Sequence, residues 1–546
     1  MNGGTLRISS DGNLGTAPVS PVVDGIYING GIIDTTADLT IDANRGITLG
    51  GNGGEINVDA ATTLTYGGVI ASEPNVIAGY TANPAVGRID KTGAGTLLLT
   101  NINNSYTGLT EVKEGTLLWA PTFTSGNTSS VFGSNGAFLD GTVIRSGATL
   151  AMAPSTPTNV SNFNAVFQEW FTFEGGSTVN LNPGNSAGDP HDINFYFRGV
   201  LQFDSLGNPG TPDGFQTPSS IAGATVLDIG SQGSTNLNDD GGYITGDGGI
   251  TKIGPGALVF RENSPEWTGQ LIILQGQVLA NSAGNPLGTG TMPIIMGHNL
   301  FGEQAGEPDS GNTQVQLLFQ DEGGYRDVSS ITQDIIIRAD DGAGSQTKRL
   351  GAQNLANVDV VNFDGSITMR DDVELFYTDS ARDSTQTTTN NINNSGRSIG
   401  TLTNTETYFI NFNGNIIGAV GNDLTTNVSQ GGTANVANGS IISPFDDMVQ
   451  RPIFGLNGDN SLWFGNLTLG NATSDVDTQH IVSVGNVLGI SANNNVTMLN
   501  NATIQTAGNS ITIGNLTANG TTDSYIENAS TSAGSITVNQ TVDATV

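Results

Sequence analysis

Apolar and polar positions alternate along this chain in runs of four to six residues, and turn residues bound each run. GTLLLT from Gly95, GTLLWA from Gly115, GATLAMA from Gly147 and GALVF from Gly256 share this form, and GGTLRIS, STVNLN and GATVLDIG repeat it elsewhere. A two-residue alternation sends one side of each run to a core and the other to water, so these are short β-strands. The stretch Lys91–Leu118 recurs 161 positions later, at Lys252–Leu279, without a gap. Lys91 meets Lys252, Gly93 meets Gly254, Gly95 meets Gly256 and Leu97 meets Leu258. Further on, Tyr106-Thr107-Gly108 meets Trp267-Thr268-Gly269, and Gly115 meets Gly276.

The spacing carries more than the strands. Gly95 to Gly115, Gly256 to Gly276, Gly465 to Gly485 and Gly514 to Gly534 are each 20 residues. Periods of this size mark stacked repeats. Each period holds two or three strands and no helix-length amphipathic segment, which fits a propeller blade badly. The pattern predicts an all-β chain, a parallel β-helix or β-solenoid in which each coil is one period. Aliphatic columns face inward, Thr, Ser and Asn face outward, and glycines turn the corners. Five segments follow: solenoid with the first clear repeat over 1–120, solenoid with an aromatic and Pro-rich excursion over 121–222, solenoid with the second repeat over 223–291, irregular decorated coils over 292–358, and Asn/Thr-rich coils over 359–546. Residues 121–222 hold 13 of the 35 aromatics and 8 of the 19 prolines, so longer loops or a small side-packed element are expected there.

Composition narrows the picture. Gly supplies 76 of 546 residues and charged residues only 12%, which disfavours helices with charged surfaces. Gly has no three-residue period, which excludes collagen, and 36% apolar residues argue for a packed core. The net charge of −33 opposes nucleic acid, whose binding depends on Lys and Arg. There is no cysteine. MNGGTLRISSDG lacks the basic and apolar regions of a signal peptide, and no apolar run nears the roughly 18 residues of a membrane helix. No membrane insertion is therefore expected of this chain. The chain begins and stops inside its own pattern, so its expected partners are further copies joined end to end, or the rest of a longer solenoid.

Candidate chemistry is sparse. His191, His298 and His480 share no ligand spacing and read as solvated loop or turn residues. The G-x-S-x-G at Gly184–Gly188 sits in a Gly/Asn-rich loop, without the strand-to-helix turn of a nucleophile elbow. Glu55 stands where a Ca²⁺-binding nonapeptide roll has Asp. Asp239, Asp240 and Asp247 surround a Gly turn, Asp189 and Asp192 flank His191, and Asp371 and Asp372 adjoin. Clustered carboxylates with backbone carbonyls can supply the six to eight oxygens that Ca²⁺ takes, and solvated corners explain the same clusters. No cofactor is expected other than Ca²⁺ at these acidic turns. Trp170 and Tyr196 are candidates for stacking on glycans, with a local aromatic core as the plainer reading. Asn-x-Ser/Thr triplets at Asn466, Asn471, Asn515 and Asn519 read as turn chemistry.

The pattern TKxGxGxLxL…YTGxTxVxxGTL resembles the autotransporter-associated β-strand repeat of bacterial passenger domains, best over 68–119 and 242–291. The resemblance implies a right-handed parallel β-helix at the cell surface or outside a Gram-negative-type bacterium. It implies no reaction. The function expected is a structural fibre, a solenoid stalk or filament subunit with an adhesive role and no catalysis. The alternative is a glycan-binding adhesin or a polysaccharide-degrading β-helix passenger.

Overall fold

A computed structural model describes residues 1–73, 87–122, 132–133, 141–153, 163–167, 169–181, 193–197, 200–204, 219–223, 227–229, 244–252, 257–281, 284–297, 314–320, 328–340, 346–353, 355, 360–379, 407–430, 451–470, 480–520 and 524–539. Among them are 46 strands, one 3₁₀ turn and no α-helix. No helix there is long and apolar enough to cross a membrane. The paired strands are parallel, and the chain divides into two compact units, Met1–Ile272 and Ile273–Val546.

In the first unit the strands recur in order on three faces. The first face stacks Thr5–Ile8, Gly31–Thr35, Gly54–Val58, Ile89–Thr92, Thr110–Val112, Thr142–Ile144, Phe171–Glu174, Leu201–Asp204 and Ile244–Thr245. The second runs from Leu39–Ile41 and Thr63–Tyr66 through Thr96–Leu99, Thr116–Trp119, Thr149–Met152 and Thr178–Leu181 to Ser219–Gly223 and Ile250–Lys252. Third strands are Val22–Ile28, Arg45–Leu49 and Ile70–Ser72 in the opening coils, and Phe163–Phe167, Ile193–Phe197, Leu227–Ile229 and Ala257–Phe260 later.

Register explains the alternation. Leu64, Leu97, Leu117, Leu150 and Val179 form one inward column, and Tyr66, Leu99, Trp119, Met152 and Leu181 the next. All are buried, and each aliphatic member contributes about 1.5–3 kcal/mol by leaving water. Outward on the same strands, Thr63, Thr96, Thr116, Thr149 and Thr178 form a threonine row. β-branched residues suit such a half-buried pleat.

Two expectations need correction. A 20-residue coil holds between Thr96 and Thr116, but Thr116 and Thr149 are 33 residues apart, so the period is not constant. The aromatics of the 121–222 excursion also enter the coils. Phe173 stacks on Phe203 at 5.2 Å and Phe167 on Phe197 at 5.1 Å, each pair in register on adjacent strands. Large residues fit within these coils because like side chains stack along the axis.

The second unit repeats the plan. One face stacks Val328–Ile331, Val360–Phe363, Thr407–Phe412, Arg451–Leu456, His480–Val484, Ala502–Gln505 and Tyr525–Glu527. Another holds Ile294–Met296, Ile335–Ile337, Ile367–Met369 and Ile416–Gly418, and a third runs from Gly276–Ala280 and Gln314–Gln320 through Thr347–Gln353, Val373–Asp379 and Leu424–Gln430 to Leu467–Leu469, Val496–Met498 and Leu516–Ala518. Here amides run along the axis: Asn411 donates to Asn362 at 3.0 Å, Asn413 to Asp364 at 2.7 Å and Asn457 to Asn413 at 2.9 Å.

Candidate functional site

The repeated Lys and glycines build one corner. Alternation along Ile89–Thr92 turns Ile89 and Lys91 inward, and register sets Lys91 between Ile56 and Val112. Its ammonium escapes that apolar column by reaching the turn. Lys91 Nζ donates to the carbonyls of Thr92 at 2.8 Å, Gly93 at 2.7 Å and Glu114 at 3.1 Å. Burial pulls Lys91 down to about 8 from 10.5, opposed by Glu114, so at neutral pH three N–H groups meet three acceptors from two coils. The glycines are there for the same closeness. A Cβ on Gly95 would lie 2.2 Å from Asp59 O, and one on Gly115, whose φ is +67°, would lie 2.5 Å from both Gly93 O and Gly95 O. Lys252, its counterpart, is buried too, and burial takes it down to about 7.

The aromatic anchors the end of the coil. Tyr106 is buried and its hydroxyl lies 2.6 Å from Thr110 Oγ1. Burial pushes its ionisation well above the usual tyrosine range. Asn104 Oδ1 accepts from Ile70 N at 3.0 Å. In the second copy Trp267 Nε1 donates to Gly248 O at 2.9 Å, Ser264 Oγ accepts from Ile244 N at 3.1 Å, and Thr268 N donates to Gly246 O at 2.9 Å.

A third anchor escaped the sequence reading. Trp463 Nε1 donates to Asn422 O at 2.8 Å, Asn460 Oδ1 accepts from Ile416 N at 2.7 Å, and Phe464 N donates to Gly418 O at 2.9 Å. Cβ atoms on Gly269 and Gly465 would each sit 1.8 Å from a carbonyl oxygen and 2.6 Å from the indole nitrogen. The available signal was Trp-x-Gly three residues after an Asn, running into NLTLG.

Within the first unit the motif also changes face. Lys91 lies on the first face and Lys252 on the second. Ser105, beside Tyr106, bridges to Ala71 at the end of a third strand, whereas Trp267 bridges to Gly246 just past a first-face strand.

Charges gather on the outer side of the first repeat. Asp90 binds Arg88 at 2.5 Å and Lys113 at 2.7 Å, while Glu111 pairs with Arg88 and Arg145, and Arg145 with Glu174. In the second unit the buried Lys348 pairs with Asp340 and Asp371, and Arg349 binds Glu374 at 2.7 Å with its guanidinium 4.4 Å above the Phe376 ring. Burial, then the neighbouring Asp423 and Asp371, hold Asp372 above the ordinary carboxylate range.

Asp247 is exposed at the bend after Ile244–Thr245. Asp239, Asp240, Asp189, Asp192, His191, His298, Asn471 and the Gly184–Gly188 stretch lie outside the described residues. Trp170 is half-buried, and its carbonyl accepts from Thr142 N at 2.9 Å. Tyr196 stands in the strand Ile193–Phe197, opposite Val166 and Asp228, and its side chain lies outside the described ones. Glu55 lies on a strand and accepts from Thr92 Oγ1 at 2.7 Å. His480 departs from the expected solvated loop: it opens a strand, is buried, and its Nδ1 lies 3.0 Å from Thr426 Oγ1. HIVSV is buried at four of its five positions, and register against Ala502 places its first residue regardless of polarity. Among the described residues no group of three or more His, Asp and Glu is placed to hold a metal ion.

Stacked parallel coils closed by this corner define a β-solenoid that carries a passenger-type repeat. The family Passenger-associated-transport-repeat matches residues 89–118, the stretch from the Lys91 strand to the leucines after Gly115. Over 246 residues, 44% of this chain, the sequence is 32% identical to Adhesin BmaC autotransporter of Brucella suis biovar 1 (strain 1330). The chain spans about 6% of the length of that curated relative. No solved structure matches the chain.

Proposed function

We propose that this chain is passenger material of a Gram-negative autotransporter, a surface-exposed or secreted solenoid whose work is structural and adhesive rather than catalytic. The observation that carries this is the Lys91 corner, which lies inside the matched repeat and spends its polar groups on joining coils. Every carboxylate and base in the ion network over that repeat is engaged with a partner of opposite charge. Likeness to an adhesin supports the adhesive part. The finer reading is a stalk or filament subunit whose partners are copies of itself or further coils of a longer chain.

Beads coated with the purified chain, washed over a host-cell monolayer beside albumin-coated beads, test adhesion; retention above albumin is expected, and equal loss would overturn it. Electron microscopy of native material tests the fibre. Filaments many times longer than one chain's stack of coils support a subunit that joins end to end. Isolated particles of a single length remove that reading and leave the adhesive one.

A further inference from the structure

The third anchor differs from the other two on its outer side. Alternation buries Tyr106, Trp267 and Trp463 and turns their neighbours outward. Those neighbours are Ser105 and Thr107 in the first copy, Glu266 and Thr268 in the second, but Leu462 and Phe464 in the third. Leu462 is 58% and Phe464 42% exposed. The adjoining coils extend the feature. Gly418 N donates to Leu462 O at 3.2 Å and Phe464 N to Gly418 O at 2.9 Å, which sets the turn carrying exposed Val420 alongside. Asn460 N donates to Leu488 O at 3.0 Å, which brings exposed Val487 and Leu488 to the other side. Three successive coils thus present Val420, Leu462, Phe464, Val487 and Leu488 to water.

We infer that this stripe is a docking surface for a cationic amphipathic polypeptide segment, one with apolar side chains on one face and Lys or Arg beside them. Apolar residues at outward positions of a solved corner have no packing role in their own coil, and clustered exposure of this kind marks an interaction site. Charge selects the occupant. Residues 452–546 contain no Lys or Arg, and Asp459 and Asp423 stand beside the stripe, Asp423 accepting from Asn466 N at 2.7 Å, two residues past Phe464. A second copy would bring another net −33 against the same face, and an anionic membrane would be repelled likewise. A basic segment gains steering from the charge and hold from the apolar contact.

The inference goes beyond the adhesive reading, and the two fail separately: bead retention reads adhesion, whereas peptide binding reads this stripe. The test is fluorescence anisotropy of a labelled Leu/Lys amphipathic peptide with the full chain, beside a Leu/Glu and a Ser/Lys peptide. Wild type should bind the Leu/Lys peptide best, and Leu462→Ser/Phe464→Thr, which restores the polar residue types of the other copies, should bind it roughly tenfold or more weakly. Val487→Thr, altered in a different coil, should also weaken it. Unchanged binding by both variants overturns the inference, as does equal binding of either control peptide. Sedimentation showing a wild-type dimer lost in the double variant would make the occupant a second copy. Selective capture of neutral phosphatidylcholine vesicles would make it a membrane. Either result also overturns the proposal.

Discussion

A lysine at an inward position of a β-solenoid carries a desolvation cost, and Lys91 and Lys252 show it. Burial disfavours the charged form in both, to about 8 and about 7, against about 10.5 in an unfolded chain. Below the folded values both states are protonated and the penalty is present in full. As pH rises from about 7 toward 10.5, the folded state releases its protons while the unfolded state still holds them, so stability rises with pH. Urea midpoints measured at pH 6.5 and pH 9.5 should therefore climb more for wild type than for Lys252→Met; equal climbs would remove the lysine from the effect. The indole of Trp463 is a second single-residue test. Trp463→Phe keeps an aromatic ring but leaves Asn422 O without its donor and part of the buried indole's volume empty, and should cost about 2 kcal/mol or more by denaturant unfolding.

At the scale of the element, the strands and corners were legible and their placement was not. Lys91, Gly95, Tyr106 and Gly115 stood out because each has a counterpart at a fixed offset, and each has a contact that only its residue type makes. Gly115→Ala should lose about 2 kcal/mol or more from the left-handed backbone and the crowded Gly93 and Gly95 carbonyls, while Gly51→Ala, with nothing within 4 Å of a new Cβ, should change stability by under about 0.5 kcal/mol; thermal unfolding of both checks the contrast. Alternation says whether a residue points in or out, but not which of three faces its strand joins. The step of Lys252 to a different face from Lys91 was therefore invisible in the sequence. Trp463 escaped because Phe464 replaces the threonine of the motif and no Lys-x-Gly precedes it. His480 was misplaced because polarity was weighed above register. Of the candidate site residues, clustered Asp side chains carried no spacing that a fold could decide, and the outward places of Leu462 and Phe464 follow only once Trp463 is seen to take the inward one.

For the whole molecule, net charge and local pairing act against each other. Fifty acidic residues against 17 basic ones repel, while Arg88, Lys113 and Arg145 tie three carboxylates, those of Asp90, Glu111 and Glu174, across the first repeat. Surface pairs of this kind contribute little each, so self-repulsion should prevail. Melting temperature is expected to rise on going from about 10 mM to about 150 mM NaCl, as the screening length shortens. A fall would show that the ion network outweighs the repulsion. CaCl₂ at matched ionic strength separates screening from a built Ca²⁺ site, since only the latter gives a further rise. The shift of the repeat from one face to another has a consequence for how such chains change over generations. Because the repeat begins on the first face at Lys91 and on the second at Lys252, a copied segment need not span a whole number of turns. Recombination that keeps the two-residue alternation in step can then lengthen or shuffle the gene without having to preserve which face each copy begins on.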